Sequence, residues 1–475
     1  MRNFTRHISS VVFVLLTISS SAQGDSLFHL RLEEFIQKVK LHHPIAKQAE
    51  LTQQSGESTE LKAKGGFDPK LEAGTNQKFY RETNYYSYNN ASVKIPTRSP
   101  ITIKGGYELN DGKYLSASST VPDEGLYNAG LSVSLLQGLL TDERRTALAQ
   151  ARAFRDYTEA ERKRMINELM YEAFGAYWNW WNAYEKTRIA QDMTNLAIDR
   201  FEAIKERAVA GDRPYIDTVD AFMQVQFRQQ QFIDNAIAEI KSRFYLSSFL
   251  WAEDENGGLE GLIINDNTEP TQPSGDWSSL WPAEMKESMV DYIQREHPEI
   301  TAYDAKLDQL DADLRWKKEK LKPKLDVEYN FINQTTSTTD PYWSTRNYKW
   351  GLTFSFPIFI REARGDLQLG KIKIDETEYS RELKSVELAN KASTSFASYQ
   401  NLQLQLTIAE QNVSNYITLL NAERTRFFNG ESSVFIVNQR EMALADARMK
   451  VIDIKAKLEM SVVEAEYHIG QLYRR

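Results

Sequence analysis

Histidines and carboxylates are the side chains of this 475-residue chain best suited to chemistry, and their spacing argues against it. His42, His43 and His297 are candidate metal ligands, but His43 and His297 each stand directly before a proline that opens a helical segment, and no i, i+4 ligand partner accompanies them. Asp304, Asp308, Asp311 and Asp313 have the pattern of a solvated helix face. Cysteine is absent, so disulfides, thiolate metal sites, thiol nucleophiles and acylation through a cysteine are all excluded. There is no nucleophile elbow, phosphate-cradling loop or zinc-binding helix. The residues therefore point to a protein that is not an enzyme, with no catalytic, cofactor-binding or metal-ligating residues and no cofactor.

What the sequence does contain is itself, twice. His43-Pro44 is answered by His297-Pro298, and Pro69-Lys70-Leu71 by Pro323-Lys324-Leu325, both at an offset of 254 residues. Gly130 to Ser134 is answered by Gly351 to Ser355, and Arg207 with Gly211 by Arg426 with Gly430, the latter at an offset of 219. Each copy reads as helix, β-hairpin, very long helix, tight glycine turn and returning helix. The expected organisation is a signal peptide over 1–22, a first repeat over 23–251, a connector over 252–282 rich in Gly and Pro, and a second repeat over 283–475.

The signal is read from Arg2 and Arg6, an apolar run from Ile8 to Ile18 and the small residues Ser20-Ser21-Ala22. Its removal takes away two of the 58 basic residues and leaves 66 acidic ones, so the net charge falls from -8 to -10. Nucleic acid is an unsuitable partner for such a chain. Beyond the signal no run of about 18 apolar residues occurs, and any membrane span would have to be a closed β-barrel.

Two segments have the pattern such a barrel needs. Leu325, Val327, Tyr329 and Phe331 alternate with Lys324, Asp326, Glu328 and Asn330, and Tyr348, Trp350, Leu352, Phe354 and Phe356 alternate with Lys349, Gly351, Thr353 and Ser355. The first repeat matches at Leu71 to Phe79 and at Leu131 to Leu135, but an insertion over 82–127 carries Ala91-Val93-Ile95 and Ile101-Ile103, which could form an extra hairpin. Tyr85, Tyr86, Tyr88 and the pair Tyr342-Trp343 are expected at hairpin tips, where amphipathic rings suit an interface. Alternation by itself fits a water-soluble sandwich equally well, and it is the export signal and the helices that favour the membrane.

Those helices are expected from Asp142 to Ala210 and from Glu362 to Asn429, each roughly 100 Å at 1.5 Å per residue. Leu402, Leu406, Ala409, Val413, Tyr416, Leu420, Glu423 and Phe427 form a heptad seam interrupted at Glu423. The expected complement on the returning helix is Phe435, Asn438, Met442, Ala445, Met449, Ile452, Ala456, Glu459 and Val463. Two shorter helices stacked end to end would match each long one. Gly211 and Gly430 suit a left-handed helix end, and Pro214 or Ser432-Ser433 the start of the next helix. Tyr177, Trp178, Trp180, Trp181 and Tyr184 read as a packing layer in mid-helix, with a carbohydrate platform as the alternative.

Taken in order, the His-Pro pairs, Pro-Lys-Leu strands, Gly-led strands, long helices and Arg-x-x-x-Gly tips resemble the TolC-type family of outer-membrane efflux proteins over essentially the whole mature chain. The resemblance implies an α+β membrane protein. Three copies would build an outer-membrane β-barrel continuous with a periplasmic α-helical barrel of coiled-coil hairpins. It further implies a homotrimer serving as the exit channel of a tripartite efflux or type I secretion system, in contact with outer-membrane lipid, a periplasmic adaptor and, through the adaptor, an inner-membrane pump. Arg207, Gly211, Arg426 and Gly430 would be the adaptor-docking tips. Family members with a selective gate carry carboxylates six and nine residues after the second tip glycine; here those places hold Ile436 and Gln439, while acids stand at Asp217 and Asp220 of the first repeat. The alternative is a secreted coiled-coil scaffold or adhesion protein without a pore.

Overall fold

In a computed structural model, residues 28–272, 285–334 and 346–475 are described. The signal segment and the pair Tyr342-Trp343 lie outside them. The first repeat begins with β1 (Phe28–Leu30), α1 (Leu32–His42) and α2 (Pro44–Lys64), then forms β2 (Lys70–Tyr80), β3 (Thr83–Pro96), β4 (Ile101–Asp111) and β5 (Leu126–Ser134). It continues into α3 (Glu143–Val209) and returns in α4 (Ile216–Ser247). Three short strands follow: β6 (Trp251–Glu253), β7 (Leu259–Gly261) and β8 (Thr268–Pro270). The second repeat comprises α5 (Met285–Glu296), α6 (Pro298–Glu319), β9 (Lys324–Asn333), β10 (Tyr348–Ser355), α7 (Arg361–Phe428) and α8 (Val434–Ile469).

The two repeats share one six-stranded sheet, ordered β10-β9-β5-β4-β3-β2 and antiparallel throughout. Both strands of the inserted hairpin belong to it. Arg81 and Glu82, with φ of 48° and 55°, make the two-residue turn between β2 and β3, whose twist matches that of the strands it joins. Tyr85, Tyr86 and Tyr88 therefore lie along β3 just beyond that turn, and not at its tip.

Register decides which side chains share a face. Trp350 faces Tyr329, which faces Leu131, and Leu131 faces Ile103, which faces Ile95. Leu352 faces Val327 and Phe354 faces Leu325 on the same side. No helix among the described residues covers this apolar face: Leu71 is 76% exposed, Trp350 63% and Phe354 64%. The opposite face carries Lys94, Lys104, Asn128, Asp326 and Glu328. Among the described residues, the strands at both ends of the sheet, β2 and β10, have one side without a strand partner.

The helices run as the heptads require, α4 returning along α3 and α8 along α7, with α2 and α6 also packed on α3. Asp142 starts α3 by accepting a 2.8 Å hydrogen bond from the Arg145 amide. The α7 seam is the expected one: Leu402, Leu406, Ala409 and Val413 pack with Val451 and Ile454, and Tyr416, Leu420 and Phe427 with Val437 and Leu444. The face that α8 turns to α7 differs from expectation. It is Val437, Leu444 and Val451, while Phe435 is 66% exposed, and Ile452, Ala456 and Val463 pack instead into the core around α3. The returning helix packs along two long helices, α7 and α3, and carries an apolar stripe for each.

That core sits at the middle of the molecule. Tyr177, Trp178, Trp180 and Trp181 are buried there with Phe35, Val39, Leu246 and Phe249. The Tyr177 hydroxyl lies 2.8 Å from the Thr271 carbonyl and 2.9 Å from that of Leu30, and accepts from the Thr271 amide at 3.1 Å. It thereby ties the parallel pair β1 and β8 to α3. Buried rings in mutual edge contact leave no platform for sugar, and the packing reading holds.

The His-Pro pairs turn out to be helix caps. Nδ1 of His43 accepts from the Ile45 amide at 3.2 Å, and Nδ1 of His297 from the Glu299 amide at 3.1 Å, with the proline at the first helical position in both. Both imidazoles are buried, which disfavours the cation and pushes both pKa values down, that of His297 to about 4. A base depressed in the folded state stabilises fully above its ordinary pKa of 6.5, and that stability is lost as pH falls toward 4. From His297 alone the loss would reach at most about 3 kcal/mol. Replacing His297 by Asn keeps a cap acceptor without the titration. We expect the fall in unfolding temperature between pH 7 and pH 5 to be smaller in His297→Asn than in the parent protein.

Candidate functional site

Helix termini need their last carbonyls satisfied, and the two hairpin tips solve this identically. At the end of α3 the Gly211 amide donates to Ala208 O at 3.1 Å and the Asp212 amide to Arg207 O at 2.9 Å; at the end of α7 Gly430 donates to Phe427 O at 3.1 Å and Glu431 to Arg426 O at 2.9 Å. These are paired Schellman bonds, closed by glycines at φ 82° and 80°. The Arg-x-x-x-Gly spacing thus has a backbone meaning, because it puts an arginine at the carbonyl that receives the outer bond, at the negative end of the helix dipole. Both arginine side chains are exposed, as are both glycines.

The next helix starts differently in the two repeats. Pro214 precedes α4, whose first turn closes through the Asp217 amide on Pro214 O at 3.1 Å. Ser433 occupies the cap position of α8 but makes no side-chain cap, and Ser432 turns away to donate to Glu423 Oε1 at 2.5 Å. Glu423, the interruption of the heptad seam, is therefore a buried carboxylate held by the tip loop, with Arg426 Nη1 at 3.8 Å.

Side chains from both hairpins meet just inside the tips. Ile204 and Ala221 of the first pack with Val434 of the second, flanked by Phe201 and Phe427. The Arg213 guanidinium stands 5.0 Å over the Phe427 ring. One turn deeper, Arg200 of α3 bonds Asn438 and Glu441 of α8, and Arg424 of α7 reaches the same Glu441 oxygen at 2.9 Å. Glu441 is buried, so its two guanidinium partners are what make its charge tolerable. Between these groups lies a cavity of about 390 Å³, lined by Arg200, Arg207, Arg213, Phe427, Phe428 and Val434.

Of the candidate tip and gate residues, Arg207 alone lines this cavity. Asp217 is half-buried, 3.5 Å from Arg213 Nη1, while Asp220 is exposed one turn further on. Ile436 is half-buried and Gln439 exposed on α8. Among the described residues, the one ion pair of these four candidates is that of Asp217 with Arg213. The network of Arg200, Arg424, Asn438 and Glu441 is hidden in the sequence because heptad spacing alone puts Asn438 in the α7 seam. Its signal was a pair of polar residues three apart on a helix otherwise apolar on that side.

Among the described residues there is no cluster of three or more His, Asp or Glu suited to a metal ion, and no helix long and apolar enough to cross a membrane. Residues 290–464 match the family model described as outer membrane efflux protein. The fold of the chain is similar to that of solved outer-membrane proteins. The Campylobacter jejuni CmeC outer membrane channel is 14% identical with a TM-score of 0.62, over 92% of this chain and 85% of that one. The Vibrio cholerae outer membrane protein VceC is 13% identical with a TM-score of 0.64, over 92% and 95%. The Neisseria gonorrhoeae MtrE outer membrane channel, in its open state, is 14% identical with a TM-score of 0.63, over 93% and 89%. No curated protein sequence matches the chain.

The two hairpin tips depend on two glycines whose absent Cβ would meet nothing within 4 Å, so any cost of substitution is conformational. We expect Gly430→Ala to cost about 1–2 kcal/mol locally. Amide exchange at Glu431 should accelerate roughly tenfold or more, the equivalent of 1.4 kcal/mol, with the unfolding temperature of the whole protein unchanged.

Proposed function

We infer that this protein is the exit channel of an efflux or secretion assembly in the outer membrane, with its helices extending into the periplasm. The observation that carries the reading is the uncovered apolar face of the six-stranded sheet. A contiguous exposed patch of this kind marks an interaction surface. Its alternation with a charged face is what a wall between lipid and water requires. Both sheet edges are open. Since unpaired backbone groups are not tolerated in hydrocarbon, the sheet must be closed by further copies, and a homotrimer is the assembly we propose. A secreted scaffold or adhesin without a pore would have no use for such a face.

The division into two repeats joined by a connector supports the same architecture, each repeat contributing strands to the barrel and one hairpin to the tunnel. The tips, carrying Arg207 and Gly211 in one hairpin and Arg426 and Gly430 in the other, are the surfaces we assign to a periplasmic adaptor and, through it, an inner-membrane pump. The exposed guanidiniums at the end of rigid helices support this assignment. For the entrance we propose that Asp217 and Asp220 supply its carboxylates, in place of Ile436 and Gln439. Three copies of both would gather six acids at a narrow opening, where field focusing favours cations.

Planar-bilayer recording on protein purified in detergent tests both statements. We expect stepwise conductance with a preference for cations, and a reduced preference in the nearly isosteric double variant Asp217→Asn, Asp220→Asn. Absence of conductance would overturn the channel. Conductance with unchanged selectivity would place these acids on the outer surface and leave the entrance to Ile436 and Gln439.

A further inference from the structure

The inserted hairpin β3–β4 has a place in the wall that the duplicated plan does not demand, since the second repeat manages with β9 and β10 alone. Three observations bear on what it does. Its strands are bonded along their length, β3 to β2 from Thr83 to Lys94 and to β4 from Ser87 to Pro96, and β4 to β5 from Ile101 to Glu108. Its apolar side chains continue the exposed face at the same level, Val93 next to Leu71 and Ile103 next to Leu131. And Lys104 of β4 reaches past β5 to Glu328 of β9, Nζ to Oε2 at 2.8 Å. The strand it crosses presents Gly130 there, directly between Lys104 and Asn330 in register; a Cβ on Gly130 would come within 2.2 Å of the Asn330 side-chain oxygen. The missing side chain opens the path for an ion pair that fastens the hairpin to the other repeat.

We propose that β3 and β4 are barrel wall, so that three copies of the chain close an 18-stranded barrel, each joint made by β2 of one copy against β10 of the next. The proposal rests on the channel reading above. With strands about 4.8 Å apart and tilted by about 40°, such a barrel is roughly 36 Å across between backbones, against roughly 24 Å if each copy gave only four strands. Barrels of 16–18 strands enclose an aqueous channel. The exit of this protein would then be wide, with passage limited at the hairpin tips and not at the membrane.

The chain has no cysteine, so introduced pairs report alone. In membranes, Ile103→Cys with Leu131→Cys, which face each other across β4 and β5, should oxidise to a disulfide within one chain. Ala73→Cys with Tyr127→Cys should not, because β2 and β5 are three strand spacings apart, about 14 Å, well beyond disulfide reach. The reverse outcome, a disulfide between β2 and β5 and none between β4 and β5, would mean a four-stranded contribution with the hairpin outside the wall, and would overturn the proposal while leaving the channel standing. A parallel scan of Leu71→Cys, Ala73→Cys and Thr75→Cys against Trp350→Cys and Leu352→Cys should yield covalent trimers. Loss of every inter-chain crosslink would remove the channel reading itself. Finally, Lys104→Glu should lower the yield of heat-resistant trimer severalfold, and the exchange Lys104→Glu with Glu328→Lys should restore it. Failure of the exchange to restore it would count against the ion pair as the fastening.

Discussion

Backbone hydrogen bonding at the two ends of one sheet governs most of what this molecule is. A strand edge in water is a liability; beside hydrocarbon it is untenable, because every unpaired amide and carbonyl there costs several kcal/mol. The sheet of this protein shows lipid-suited side chains on one face, charged and amide side chains on the other, and open edges at β2 and β10. Those properties are reconciled in the proposed closed wall built from several copies. In the proposed assembly the apolar face supplies membrane affinity, and the edges supply the demand for further copies.

The helical part answers a different constraint. A helix of about 100 Å cannot bury a continuous core in a globule, and it is stable only with partners along its length. Here α3 and α7 are each followed by a returning helix, and the shorter α2 and α6 also pack on α3. The joints that matter are few and polar: His43 and His297 cap the helices leading to the sheet, Tyr177 pins the midsection, and Arg200 with Arg424 holds Glu441 where the two hairpins meet. Apolar seams fix neighbours, and these polar joints fix register and ends.

Much of this was legible in residue spacing. The long helices begin and end within a residue of where proline-free stretches placed them, because capping Asp142 and the tip glycines punctuate them sharply. The strand faces of β9 and β10 were legible because alternation there is unbroken. The inserted hairpin was harder: Asn89-Asn90 and Gly105-Gly106 interrupt its pattern, and its membership of the sheet is settled by pairing partners that no local pattern names. The partner face of α8 is ambiguous in the sequence for a related reason. A helix wedged between two others carries two apolar stripes, and heptad spacing does not say which stripe meets which neighbour. The inter-hairpin cluster at Glu441 joins residues some 240 positions apart and could be found only after the fold.

The central claim is that one face of the sheet meets lipid and the other meets water. It is tested most directly by single-cysteine spin labels placed in turn from Tyr348 to Ser355 in membrane vesicles, comparing relaxation by oxygen, which partitions into hydrocarbon, with relaxation by an aqueous nickel complex. The account requires a period of two, with Trp350, Leu352 and Phe354 favouring oxygen, and Lys349, Gly351 and Thr353 favouring nickel. Uniform access to the aqueous reagent, or no alternation, would contradict it.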